Sequence, residues 1–343
     1  MTEPLHPAAV LYAGGRRFPA LNACEHYAGP EKLIRKALAR QAELGPVFDV
    51  TADCEDGAPA GAEADHAMMV AALLNDPANA HGRLGVRIHD ITHPHWERDL
   101  EIILGGAGNR VAYVVLPKVN SADDASRQIA ALDSLRGRYG ISREIPVHVL
   151  IETPGALHDA WRIAALPAVE SIDFGLMDFV SAHHGAIPAS AMRSPGQFQH
   201  PLVVRAKCEI AAAALGNGIV PAHNVTTELR DAGVVRSDAR RAREEFGFLR
   251  MWSIHPDQIL SIVEAMRPAP DDAAEAAEIV RAAQDAGWGP IQHAGKLHDR
   301  ASYRYYWEVL QRAHSTGITL DAAIEQRFFA RYPQPDSSTP PEP

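Results

Sequence analysis

Eight short apolar runs, separated by segments with helical spacing, restrict this chain more than any other feature. They lie at residues 9–13, 46–52, 84–89, 111–116, 147–151, 171–176, 218–223 and 248–254, and the segments 31–38, 125–135 and 205–215 between them repeat apolar residues at helical intervals. Strand and helix therefore alternate. The runs are continuously apolar instead of alternating, which requires burial on both faces, as in a parallel sheet covered by helices. Eight such units favour closure into a (β/α)8 TIM barrel, a fold of about 250 residues. A doubly wound open sheet is the competitor, and it carries a glycine-rich phosphate loop after an early strand. The one comparable cluster, Gly105-Gly106-Ala107-Gly108, precedes a strand and reads as a turn.

The chain has 343 residues, so a barrel leaves a modest remainder. A Pro-rich break at 267–272 ends in helix N-cap residues and marks the boundary. We expect a barrel carrying the site over residues 1–266 and a C-terminal helical extension over 267–332, with helices at 273–286 and 302–314 and a loop at 287–300. Residues 333–343 hold Pro, Ser, Thr, Asp and Glu with nothing to bury and are expected to be disordered.

A hydrophobic fraction of 46% is enough for a sizeable core. The net charge of −10, without a basic run or stripe, argues against a nucleic-acid partner. No apolar segment reaches the roughly 18 residues of a membrane span, and the N-terminus resembles no secretory signal, so a cytoplasmic protein without a membrane partner is expected. Cys24, Cys54 and Cys208 are few and widely spaced, which fits reduced, buried thiols.

In a (β/α)8 barrel the C-terminal strand tips and the loops after them build the active site. Five carboxylates fall there: Asp53, Glu55 and Asp56 after the second strand, Glu152 at the tip of the fifth, and Asp178 at the expected tip of the sixth. Like charges brought together repel and have raised pKa values unless a cation offsets them. All-oxygen ligation suits Mg²⁺, with Mn²⁺ as the alternative, and Mg²⁺ takes one or two protein carboxylates while keeping waters or substrate oxygens. Glu152 and Asp178 are the candidate direct ligands, and Glu55 and Asp56 the candidate acceptors for metal-bound water. Arg87, on an otherwise apolar strand, requires an anion. Its fork suits a substrate carboxylate or an enolate oxygen, and a salt bridge to Glu55 or Asp56 is the structural alternative. His89, His93, His95, His183 and His184 raise a competing reading, an imidazole-bound Zn²⁺ or Fe²⁺.

Seven short motifs occur in a shared order: Asp53-x-Glu55-Asp56, Val86-Arg87-Ile88, Leu116-Pro117-Lys118-Val119, Ile151-Glu152-Thr153, Phe174-Gly175-x-x-Asp178-Phe179, Ile254-His255-Pro256-x-Gln258-Ile259 and Gly295-Lys296-x-x-Asp299. On these the chain resembles the HpcH/HpaI aldolase and citrate lyase family, on the branch of the citrate lyase β-subunit and malyl-CoA lyase. The resemblance implies a (β/α)8 barrel, Mg²⁺ at Glu152 and Asp178, a substrate-binding Arg87, and aldol-type cleavage of a 3-hydroxyacyl thioester, usually of CoA. It also implies assembly into trimers or hexamers, with the C-terminal segment as a lid over a neighbouring subunit's site. Asp299 matches the acid/base residue of that lid. Arg16, Arg17 and Lys118 are candidate contacts to the thioester's phosphates. Two other functions share the site: hydrolysis of a malyl-CoA-like thioester, and a partner-dependent subunit acting on a carrier-protein thioester. The chain departs from the family's pattern at His89, where an Asn is usual, at Met177, where an acid is usual, and in its first strand, which lacks Val-Pro and is followed by an insertion through residues 22–29.

Overall fold

A computed structural model describes residues 5–12 and 18–330. Arg16, Arg17 and the segment 333–343 lie outside the described residues. Two compact units form, one of Leu21–Met266 and one drawn from the residues before and after it.

In the first unit, eight parallel strands close into a barrel in sequence order. They are β1 Cys24–Ala28, β2 Asp49–Asp53, β3 Leu84–Arg87, β4 Val114–Leu116, β5 Val147–Ile151, β6 Val169–Phe174, β7 Val220–His223 and β8 Arg250–Ser253, with helices between them. Around the ring Ala28 stands beside Ala52, Asp53 beside Arg87, and Ile151 beside Phe174, with a register shift between Val147 and His148 where β5 pairs with β6. Val50, Val86, Val149 and Ile172 are wholly buried and belong to one core with Ile34, Leu38, Leu73 and Leu74 of the surrounding helices. That two-sided burial explains why most of these strands read as unbroken apolar runs.

The first strand is a correction. Residues 9–13 do not open the barrel; Pro7–Leu11 is a short helix, with Pro7 in its first turn and the His6 ring accepting from the Ala8 amide. Proline pre-sets the helical φ at that position. β1 lies instead in the segment expected to be an insertion, because its sequence, Cys-Glu-His-Tyr-Ala, lacks an apolar run. Its Glu25 carboxylate finds partners within the barrel. Glu25 accepts from Thr51 Oγ1 at 2.6 Å and pairs with the fully buried Arg250 at 3.1 Å, and Arg250 also holds Asp49 at 2.6 Å. Burial pushes the Glu25 carboxyl up, but Arg250 and His148 more than offset it and bring it down to about 2.

Aromatic rings fill the rest of the interior. Tyr113 stacks on His148 with centroids 4.1 Å apart, and Tyr27 lies 4.5 Å from Trp252. Gly85 on β3 leaves room for Tyr113, since an added Cβ would sit 2.3 Å from the Tyr113 ring. We expect Gly85→Ala to lower stability by about 2 kcal/mol through overpacking, measured by urea denaturation. An unchanged midpoint would show that the ring moves aside freely.

The second unit has its own core. Helices Pro270–Asp285 and Arg300–Ser315 pack around Ile279, Val280, Tyr303, Trp307 and Leu310, joined by Leu11 and Phe328. The residues before Leu21 therefore group with this unit and not with the barrel. The expected loop 287–300 contains a two-stranded antiparallel hairpin, β9 Ile291–His293 and β10 Lys296–His298. Its turn residues Ala294 and Gly295 both have positive φ, 47° and 78°, the pattern of a two-residue hairpin turn. No helix among the described residues is long and apolar enough to cross a membrane. Cys24 and Cys54 are buried with their thiols pushed up by burial, whereas Cys208 is exposed, against expectation.

Candidate active site

The C-terminal strand tips bring the expected charged residues together. β2 ends in Asp53, and the turn after it carries Glu55 and Asp56; β3 ends in Arg87. Asp53 takes a forked pair from Arg87, Nε to Oδ1 at 2.7 Å and Nη2 to Oδ2 at 2.5 Å. Arg87 Nη1 lies 3.1 Å from Glu55 Oε2. Burial alone would push the Asp53 carboxyl up, but Arg87 holds it below the usual carboxylate range. Arg87 is thus fixed by Asp53 and Glu55, and Asp56 takes no part. A guanidinium has five N–H donors, and these contacts leave about two free.

Lys118, after β4, faces the same cluster. Its Nζ donates to Glu55, lies 3.0 Å from Asp56 and stands 3.9 Å from Asp178. The ammonium meant for a substrate phosphate is therefore turned onto carboxylates. Its backbone has φ 49°, the left-handed region that costs a side-chain-bearing residue roughly 1–2 kcal/mol. In this conformation the Lys118 amide donates to Glu152 Oε1 at 2.7 Å.

Glu152 follows β5 directly and is only 2% exposed. Thr153 then caps the next helix by accepting from the Ala156 amide at 2.9 Å. Burial pushes the Glu152 carboxyl up; Arg87 opposes this, and Asp178 and Glu55 add to it, leaving it at about 8. Asp178 departs from expectation. β6 stops at Phe174, and Asp178 sits in the first turn of the helix Leu176–Ser181, with a side chain 39% exposed. Gly175 joins strand to helix, and a Cβ there would fall 2.1 Å from Glu152 Oε2. The glycine keeps that oxygen clear.

The donor set fits a divalent cation such as Mg²⁺. Glu152 at the end of β5 and Asp178 in the helix after β6 lie close enough to act on each other, Glu152 Oε2 is kept clear of backbone, and the Asp178 carboxylate stands 3.9 Å from the Lys118 ammonium. Such a pair leaves the remaining octahedral positions to water or substrate oxygens. Gly175→Ala should crowd Glu152 and weaken Mg²⁺ binding about tenfold in a calorimetric titration. Wild-type affinity would mean that Glu152 is not a ligand.

One other group competes. Among the described residues, Glu25, His148 and Asp173 form the only triad whose ligand atoms lie within 4.8 Å of one another. Burial pulls the His148 ring down, but its hydrogen bond to Glu170 at 3.0 Å and the Glu25 carboxylate 3.5 Å away outweigh it and raise the ring to about 9. All three side chains are already engaged: Arg250 pairs Glu25, Glu170 bonds His148, and Ser171 and Trp252 donate to Asp173. We read the triad as an ion-pair network. The loop histidines form no such triad: His89 bonds Asp99 through Nδ1 at 2.6 Å and stacks on His93 with centroids 4.0 Å apart.

A cavity of about 340 Å³ opens beside Arg87, Asp53 and Asp56, and its other walls include Tyr27, Phe174, Asn224 and Trp252. Of these four the sequence motifs contain only Phe174, and Tyr27 lies in the segment read as an insertion. A hollow of about 500 Å³ lined by Pro30, Pro59, His66 and Met69 contains none of the clustered charges. The motif Ile254-His255-Pro256-x-Gln258 is a clamp. Gln258 Oε1 accepts from the amides of Ile254 and His255, and its Nε2 donates to the Thr226 and Glu228 carbonyls at 2.9 Å each. Asp299, in the second unit, is exposed and caps the helix Arg300–Ser315 by accepting from the Ala301 amide at 2.9 Å.

The sequence model of the HpcH/HpaI aldolase/citrate lyase family matches residues 33–256. A solved citrate lyase structure from Burkholderia xenovorans LB400 is 54% identical, covers 94% of this chain and all of its own, and superposes with a TM-score of 0.84. The protein CitE from Mycobacterium tuberculosis, solved in complex with magnesium, acetoacetate and coenzyme A, is 24% identical over 86% of this chain and 99% of its own, with a TM-score of 0.64. The L-malyl-CoA/beta-methylmalyl-CoA lyase of Cereibacter sphaeroides is 27% identical over 305 residues, 85% of this chain and 94% of that protein.

Proposed function

Since the chain belongs to the HpcH/HpaI aldolase/citrate lyase family, we propose that it is a Mg²⁺-dependent carbon–carbon lyase acting on a short 3-hydroxyacyl thioester of the malyl-CoA or citramalyl-CoA kind. The observation that carries this reading is the meeting of Glu152, Asp178 and a doubly paired Arg87 at one barrel mouth. The relatives' names supply the substrate class: an L-malyl-CoA/beta-methylmalyl-CoA lyase and a CitE bound to magnesium and coenzyme A.

In cleavage the substrate hydroxyl gives its proton to solvent water, the carbon–carbon bond breaks to give a keto acid, and its electron pair moves onto the thioester as an enolate; Asp299 enters this step as the carboxylic acid and regains its proton from solvent. When bound, Mg²⁺ would supply Lewis-acid stabilisation of the hydroxyl and carboxylate oxygens. Glu152 and Asp178 hold it, and Lys118 keeps Glu55 and Asp56 in place by pairing with them. Arg87 directs its remaining N–H groups at the enolate oxygen; its forked bond to Asp53 fixes that direction in advance. Asp299 delivers the proton to the enolate carbon, and in condensation removes it. We place that step between subunits of a trimer or hexamer, with the segment from residue 267 onward as the lid.

The test is a panel of malyl-, citramalyl- and β-methylmalyl-CoA incubated with the protein and Mg²⁺. We expect a keto acid and an acyl-CoA in equal amounts. Free CoA with an intact hydroxy acid would mean hydrolysis instead, and turnover only on adding a carrier protein would mean a partner-dependent subunit. A light-scattering mass equal to one chain would contradict the shared site.

A further inference from the structure

Resting on the lyase reading above, we propose that the barrel mouth selects a substrate whose keto-acid half bears an apolar side chain larger than methyl, branched or aryl. The cavity beside Arg87 holds about 340 Å³, the space of roughly eleven waters at ~30 Å³ each. The acyl thioester shares this space, and a two- or three-carbon keto acid carries too little apolar surface to cover the wall opposite Arg87.

The walls around that space are apolar. Tyr27, Phe174, Met177, Val225, Trp252 and Ile254 line it, opposite a charged pole of Arg87, Asp53 and Asp56. Trp252 and Asn224 have their polar atoms engaged elsewhere, whereas the buried Tyr27 hydroxyl has no hydrogen-bond partner among the described residues. The Trp252 Nε1 donates to Asp173 at 3.2 Å, which leaves the indole to present carbon. Asn224 accepts from Lys207 at 2.6 Å and donates to Gln197 at 2.9 Å and to the Val225 carbonyl at 2.8 Å. Ile254, 45% exposed, places a large apolar side chain at the rim, where a site built only for small acids has no use for one. The surface is also rigid. Gln258 ties the loop after β7 to the end of β8, and Lys207, wholly buried, anchors Asn224 from beneath. A pocket fixed in shape before binding discriminates by fit.

The experiment titrates the full-length protein, in Mg²⁺, with glyoxylate, pyruvate, 4-methyl-2-oxopentanoate and phenylpyruvate by calorimetry. The same acids are then assayed for condensation with acetyl-CoA and propionyl-CoA. Each buried methylene should tighten binding about fourfold, so 4-methyl-2-oxopentanoate should bind on the order of 50-fold tighter than pyruvate. Val225→Trp fills the space and should erase that advantage; Ile254→Trp, at the exposed rim, narrows the same space and serves if the first variant does not fold. Affinity that is flat or falls with size overturns the proposal, as does condensation confined to glyoxylate and pyruvate, which would leave the lyase reading standing. Size-graded binding without any carbon–carbon turnover would instead remove the lyase reading and keep the apolar subsite.

Discussion

Glu152→Gln and Asp178→Asn are each expected to lower turnover by about 10³-fold or more, equivalent to roughly 4 kcal/mol of lost transition-state stabilisation, and to abolish Mg²⁺ binding at millimolar concentrations. The two changes act through different environments. Glu152 is buried at about 8 among Asp178, Glu55 and Arg87, so without metal it is mostly the neutral acid near pH 7, which the amide matches in shape and charge. The Glu152→Gln protein should fold at least as stably as the parent while losing its metal. Asp178 is partly exposed on a short helix, and its amide should leave stability unchanged. Calorimetry and thermal denaturation on the same samples separate loss of metal from loss of fold. Undiminished binding in both variants would remove this pair from the metal site.

Asp299→Asn is expected to lower turnover by about 10²-fold or more while leaving Mg²⁺ affinity intact. Its capping role sharpens the test. Asparagine caps a helix about as well as aspartate, so the helix Arg300–Ser315 should survive the change. A loss of activity with unaltered helix content and unaltered metal binding then reports proton transfer. If activity is unaltered too, Asp299 is a cap and nothing more.

The barrel was legible because its strands are buried on both faces, and such strands write themselves as unbroken apolar runs. β5 is the clear case, 147–151 in sequence and in structure. β1 was illegible for the opposite reason: Glu25 and His26 are polar residues that the interior pairs with Arg250, Thr51 and Ser253, partners up to 227 positions away. No local pattern announces such long-range pairing. The same holds for the Pro7–Leu11 helix, whose apolar run is too short for length to tell helix from strand.

The site divides along the same line. The carboxylates, Arg87 and Lys118 were visible as charges at the ends of apolar runs, where a charge is costly without a function or a partner. Their pairing was not, because Asp53 and Arg87 meet only once β2 and β3 align. Lys118 took its place by a left-handed backbone that its residue type disfavours, so sequence placed it near the site but did not announce its pairing with Glu55 and Asp56. The cavity's walls came from Tyr27, Asn224, Val225 and Trp252, ordinary residues that become a surface only when strands far apart in the chain adjoin.

The most direct measurement is a crystal of the protein soaked in Mn²⁺, read by anomalous scattering, because three regions compete for the ion. The expected result is one strong peak at bonding distance from an oxygen of Glu152 and an oxygen of Asp178, with water completing the coordination. A peak at Glu25, His148 and Asp173, or among His89, His93 and His95, with none between Glu152 and Asp178, would contradict it.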